Sequence, residues 1–275
     1  MLTEVNFRLA GGAQPLMLVP VHVNGTGAYE FILDTGAGVC LLSSELAGQL
    51  GVQATEMKEG HVAGGRARVA IGSVESLAIG AAKVEDVQVA ILDLNDLGTT
   101  IGAKIDGNIG FTYLKDFRIT IDYKRLSLRL ASGRHEVVGQ RALTETGFRL
   151  AAPSKPLVLL QTVVDGQGPY EFALDTGAST TIISPGLAAR LDMRGVPIPP
   201  ITTGGGHKAE ASVGNLKSIS VGGSKLENFQ VLIADIFETL NRATGASLDG
   251  IIGYNFLKEF IVTIDYPNGV LHLER

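Results

Sequence analysis

The chain has 275 residues, room for one large domain or two small ones whose cores need neither a metal nor a disulfide staple. Its 23 Lys and Arg stand against 28 Asp and Glu, a net charge of -5 with neither sign massed in runs, which excludes the basic surface that grips a phosphate backbone. A single cysteine, Cys40, allows no intrachain disulfide and no thiolate cluster, the five His show no metal-ligand spacing, and no run of about 18 apolar residues offers a membrane-spanning helix.

Nucleic acid, membrane and metal therefore drop out as expected partners. No basic leader followed by an apolar run opens the sequence, which on its face reads as a soluble cytoplasmic protein, or as a periplasmic or exported one if a leader was removed. Glycine, 35 of 275 residues, is nearly twice its usual ~7% and sits between short Val, Ile, Leu and Phe runs. Many tight turns joining strands follow, and an all-β class is expected.

Along the chain, residues 16–23 read as a strand apolar on both sides, Leu16, Leu18, Pro20 and His22 facing opposite Met17, Val19, Val21 and Val23, as in an enclosed sheet. Phe31-Ile32-Leu33 then runs into the polar island Asp34-Thr35-Gly36-Ala37. Ser43 or Ser44 caps a short helix through Leu50, ahead of Gly51. A glycine-rich hairpin follows at Val62-Ala63-Gly64-Gly65, then Asn108-Ile109-Gly110, and a short helical turn around Leu114–Phe117. The polar residues 131–142 read as a linker.

Beyond them the same series begins again. Phe7-Arg8-Leu9-Ala10 returns as Phe148-Arg149-Leu150-Ala151 and Tyr29-Glu30-Phe31 as Tyr170-Glu171-Phe172, an offset of 141 that grows to 143 by Asp249, and residues 106–123 match 249–266 at 11 of 18 positions. The expected organisation is two homologous halves, 1–130 and 143–275, joined by 131–142. Ser184 with Pro185 marks the second copy of the short helix, the stronger of the two signals.

Each island places a carboxylate directly after an apolar strand, where it must be hydrogen-bonded or paired; the neighbouring Thr hydroxyl and glycine N–H groups offer donors. If the halves pack about a pseudo-twofold axis, the equivalent residues Asp34 and Asp175 meet. Two carboxylates in contact do not both ionise, so they hold one proton jointly and provide a general base and a general acid in one place.

With these residues in view, the chain resembles the aspartic peptidases of the retropepsin and pepsin group, over essentially its whole length. The resemblance implies two closed β-barrel halves with the active site in the cleft between them. It implies Asp34 and Asp175 as catalytic residues, with Thr35, Gly36, Thr176 and Gly177 supporting the pair. Ile109, Gly110, Ile252 and Gly253 would brace the two turns from beneath, and Gly64 and Gly65, with Gly204, Gly205 and Gly206, would form flaps over a bound peptide. Peptide or protein is the implied substrate, no metal or cofactor is required, and the likeness is to a retropepsin dimer fused into one monomeric chain. Ala37 and Ala178 stand where pepsins place Ser or Thr, so each aspartate is expected to lack one donor and the pH optimum to be less acidic than pepsin's. Two other readings stand beside this one: a catalytically silent peptide-binding module on the same scaffold, and halves that pair between chains. Cys40, at the place of Thr181, reads as a buried inert thiol, His61 and His207 as exposed loop residues, and Asp122 and Asp265 as turn formers.

Overall fold

A computed structural model describes residues 1–62, 65–133, 145–152, 156–203 and 208–275. The first repeat runs β1 (Leu2–Asn6), β2 (Arg8–Ala10), β3 (Leu16–Val23), β4 (Thr26–Leu33), β5 (Cys40–Ser43), α1 (Ser44–Leu50), β6 (Glu56–Val62), β7 (Gly65–Ile79), β8 (Ala82–Leu92), α2 (Asn95–Ile101), β9 (Gly107–Ile109), α3 (Phe111–Leu114), β10 (Arg118–Asp122) and β11 (Ser127–Ala131). The second runs β12 (Glu145–Gly147), β13 (Arg149–Leu150), β14 (Val158–Val164), β15 (Gln167–Leu174), β16 (Ile182–Ile183), α4 (Pro185–Arg190), β17 (Val196–Thr202), β18 (Lys208–Val221), β19 (Ser224–Ala234), α5 (Phe237–Thr244), β20 (Gly250–Ile252), α6 (Tyr254–Leu257), β21 (Ile261–Asp265) and β22 (Val270–Glu274). Most of the expected linker, residues 134–142, lies outside the described residues, and Ala131 still belongs to β11.

Local chemistry sets the hairpins. Asn24-Gly25 between β3 and β4, and Asp165-Gly166 between β14 and β15, have positive φ throughout, the two-residue turn whose twist matches that of its flanking strands. Each hairpin then joins a barrel. In the first repeat β3, β4, β9, β5, β8 and β7 pair in that order, and β7 returns to β3; in the second, β14, β15, β20, β16, β19 and β18 close in the same way. Residues 16–19 of β3 are buried on both faces as expected, and Val21 and Val23 are fully buried, but Pro20 and His22 on the other face are only half-buried, so the second half of the strand is enclosed on one side alone.

A third sheet joins the barrels in the order β1-β11-β10-β21-β22-β12, three strands from each repeat. At its centre the antiparallel register sets Thr120 opposite its own counterpart Thr263, with Ile119 opposite Ile264 and Ile121 opposite Val262. A register in which equivalent residues face each other defines a pseudo-twofold axis through the Thr120–Thr263 pair, whose hydroxyls lie 2.9 Å apart. One hydrophobic cluster runs through both barrels and this sheet, including Phe31, Tyr113 and Ile119 beside Phe172, Phe256 and Val262. Large side chains buried this fully contribute about 1.5–3 kcal/mol each, enough to hold the axis in place.

The helices differ in part from expectation. Ser43 and Ser184 do cap α1 and α4, each side chain accepting the N–H three residues on. The short turns α3 and α6 start at Phe111 and Tyr254, ahead of the expected Leu114, because the chain turns as soon as it leaves β9 and β20. The helices α2 and α5 carry no such signal in the sequence, since both start without a side-chain cap. Among the described residues no helix is long and apolar enough to cross a membrane.

Candidate active site

The barrel topology delivers the two islands to the axis. β9 runs parallel to β4, and β20 parallel to β15, so each strand ends level with an island: Asp34 N donates to Ile109 O at 3.0 Å and Asp175 N to Ile252 O at 3.0 Å. Gly110 and Gly253 lie against the same loops, where a Cβ would come within 2.9 Å of Ala37 O and 2.8 Å of Ala178 O. Phe111 N and Tyr254 N donate to those carbonyls at 2.8 Å.

Four hydrogen bonds tie one loop to the other. The Thr35 hydroxyl donates to Leu174 O at 3.0 Å and accepts from Thr176 N at 3.0 Å; the Thr176 hydroxyl donates to Leu33 O at 2.7 Å and accepts from Thr35 N at 3.1 Å. Both threonines are nearly inaccessible, at 1% and 2% exposure, so neither hydroxyl has water as a substitute partner.

Those bonds press each glycine under the opposite carboxylate. A Cβ on Gly36 would lie 2.6 Å from Asp175 Oδ2, and one on Gly177 would lie 2.9 Å from Asp34 Oδ1 and 3.2 Å from Asp175 Oδ1. One point is thus close to an oxygen of both aspartates, and there is no room for a methyl group. Gly36 N donates to Asp34 Oδ1 at 2.9 Å and Gly177 N to Asp175 Oδ1 at 2.8 Å. Asp34 and Asp175 are half-buried, held by the backbone on one side and accessible on the other.

The arrangement gathers Asp34, Asp175, Thr35, Thr176, Gly36, Gly177, Ile109, Gly110, Ile252 and Gly253 in one place. Of the expected flap residues, Gly65 opens β7 and pairs with Val62, while Gly64, Gly204, Gly205 and Gly206 lie outside the described residues, as does His207. Cys40 is fully buried on β5, where burial pushes its thiol pKa up, consistent with an inert role. Asp122 accepts from the N–H groups of Lys124 and Arg125, the turn role expected of it. Asp265 accepts from Asn268 N in the same way and also pairs with Arg118 of the other repeat.

One expectation fails at Asp34. Ala37 provides no hydroxyl, but Asn108 Nδ2 donates to Asp34 Oδ2 at 3.0 Å, so this carboxylate has the additional donor it was expected to lack. The signal was present in the sequence, since Asn108 interrupts an apolar-apolar-glycine segment that Ile251-Ile252-Gly253 keeps intact. Two buried tyrosines, Tyr123 and Tyr266, also interact with the pair. Burial raises both phenols, and negative charge adds to the effect, from Tyr254 and Asp175 at Tyr123 and from Asp34 and Asp175 at Tyr266. A cavity of about 400 Å³ lined by Ser44, Glu45, Asn95, Thr99 and Lys104 contains neither aspartate.

The aspartyl protease family model matches the chain twice, over residues 19–113 and 160–256, more than half its length. The chain belongs to the aspartyl protease family, with two repeats of its domain in one polypeptide. Comparison with curated proteins finds no match. Membership supports an aspartic protease-like activity and, with it, peptide or protein substrates.

Proposed function

We propose that the protein is an aspartic endopeptidase acting as a monomer, its two halves completing one site. The observation that supports this reading is the crossing of Gly36 to Asp175 and of Gly177 to Asp34, which brings an oxygen of each half-buried carboxylate within 3.2 Å of one point. With one proton between them, the ionised carboxylate takes a proton from a water, whose oxygen adds to the scissile carbonyl carbon, while the protonated partner gives its proton to the carbonyl oxygen. Collapse of the tetrahedral adduct breaks the C–N bond: the leaving nitrogen takes the proton that the first carboxyl gained from water, a hydroxyl of the adduct returns its proton to the second as the carbonyl re-forms, and the pair again holds one proton. An extended peptide fits such a cleft by strand-like main-chain hydrogen bonds, with side chains in alternating pockets.

The test is digestion of a peptide library across pH by the wild-type protein, Asp34→Asn and Asp175→Asn. Each variant is expected to fold and to lose at least about 10³-fold in kcat/KM, within the range of acid–base catalysis. Either variant cleaving at the wild-type rate overturns the assignment, and peptide binding without cleavage by the wild type points instead to the silent module. Light scattering at the working concentration is expected to give the mass of one chain.

A further inference from the structure

The pseudo-twofold axis makes the two aspartates equivalent, yet a pair with one proton needs one charged member and one neutral. Asn108 breaks the equivalence. It is buried, at 6% exposure, and its Nδ2 donates to Asp34 Oδ2 at 3.0 Å. The matched place in the second repeat belongs to Ile251, which faces Ala173 across the ladder as Asn108 faces Ile32, and an aliphatic side chain has nothing to donate. Asn108 Oδ1 has no partner among the described residues, so as a packing residue the amide is inferior to isoleucine, and the bond to Asp34 is what it adds.

We infer that Asn108 is a positioning residue that fixes the negative charge of the pair on Asp34 and leaves the shared proton on Asp175. Asp34 is then the base that takes the proton from water, and Asp175 the acid that protonates the substrate. The inference rests on the peptidase reading and deepens it. An ionised carboxylate only accepts hydrogen bonds, so a donor at Oδ2 favours the charged form of Asp34. Titratable groups around Asp34 among the described residues include Asp175 from the opposite loop, Cys40 on β5 and Tyr266 just beyond β21, while Tyr123 neighbours Asp175. Burial raises the thiol and both phenols, so all three stay neutral where the aspartates titrate. Asp106, two residues before Asn108, turns instead to the Glu30 N–H and the Lys104 ammonium.

Asn108→Ile copies the second repeat, and Asn108→Ala serves should the larger side chain not pack. Peptide hydrolysis is followed from about pH 2 to about pH 8, and the carboxyl groups are titrated by NMR in protein carrying isotope-labelled aspartate, a readout that needs no turnover. In both variants the acid limb of kcat/KM and the titration of Asp34 are expected to move up by about one pH unit, the size of one charge-assisted hydrogen bond. Adding Ile251→Asn to Asn108→Ile is expected to make Asp175 the lower-titrating carboxyl. An unchanged or downward-moving Asp34 titration overturns the inference, and leaves the peptidase reading standing where Asp34→Asn and Asp175→Asn still abolish hydrolysis. Absence of hydrolysis in the wild type overturns the peptidase reading, and the NMR titration then decides the placement of charge by itself.

Discussion

Thr35 and Thr176 each carry two of the bonds that hold the aspartates together, although neither contributes a reacting atom. Thr35→Val would leave the Thr176 N–H and the Leu174 carbonyl without their partner in a buried site. The expected cost is about 2–4 kcal/mol, since each orphaned buried group costs about 1–3 kcal/mol. Thr35→Ser keeps the hydroxyl and should lose only about 1 kcal/mol of methyl burial. Denaturant unfolding of both variants decides the matter: equal losses would mean that methyl packing, not the hydroxyl, joins the loops. Asn108 belongs at the same scale, because a single amide distinguishes two carboxylates that the duplication alone would leave alike. The expectation of a missing donor fails at Asp34, because Asn108 on the neighbouring strand provides what Ala37 does not.

At the scale of elements, the loop after β4 and the loop after β15 work as one device, and their glycines are its contact points. Gly36→Ala or Gly177→Ala would place a methyl group inside the van der Waals radius of a carboxylate and push the aspartates apart. Since a displacement of about 1 Å costs on the order of 10²-fold in rate, kcat/KM is expected to fall by at least that much while the far-ultraviolet dichroism stays that of the wild type. Unchanged kinetics in both alanine variants would show that the carboxylates are not held where the glycines place them. Strands and the two capped helices were legible in the sequence because each has a local cause: alternating or continuous apolar runs, or a Ser cap before a helical stretch. The helices α2 and α5 were not. Leu94 and Ile236 precede them with no capping side chain, and α2 buries no residue fully, so their stop signals, Gly102 and Gly245 in the left-handed conformation, have no matching start. Asn108 was visible as a misfit, but its partner comes from 74 residues earlier, and only the parallel pairing of β4 with β9 brings them together.

For the whole molecule, the duplication made the pseudo-twofold axis legible, and the six-stranded sheet is the structure that realises it. Perfect symmetry is broken there as well. Arg118 pairs with Asp265, whereas the equivalent residues Ile261 and Asp122 face each other without an ion pair. Burial works to raise the Asp265 carboxyl, but the donors on Asn268 and the guanidinium of Arg118 outweigh it and hold the group below its ordinary range. A carboxyl depressed in the folded state stabilises the protein above its unfolded pKa of about 3.9, and that contribution is lost as the pH falls through the folded value. Arg118→Ala is therefore expected to cost about 3 kcal/mol near neutral pH, with the difference from wild type shrinking below about pH 3.9; a difference that is the same at both pH values would place the effect in packing alone. By joining the halves, the sheet brings one aspartate from each to a common point. A crystal structure with a bound statine-type peptide is the decisive measurement: the inhibitor hydroxyl is expected within about 2.5–3.0 Å of an oxygen from both Asp34 and Asp175. An inhibitor hydroxyl that meets one carboxyl while the other lies out of reach in its own barrel would contradict it.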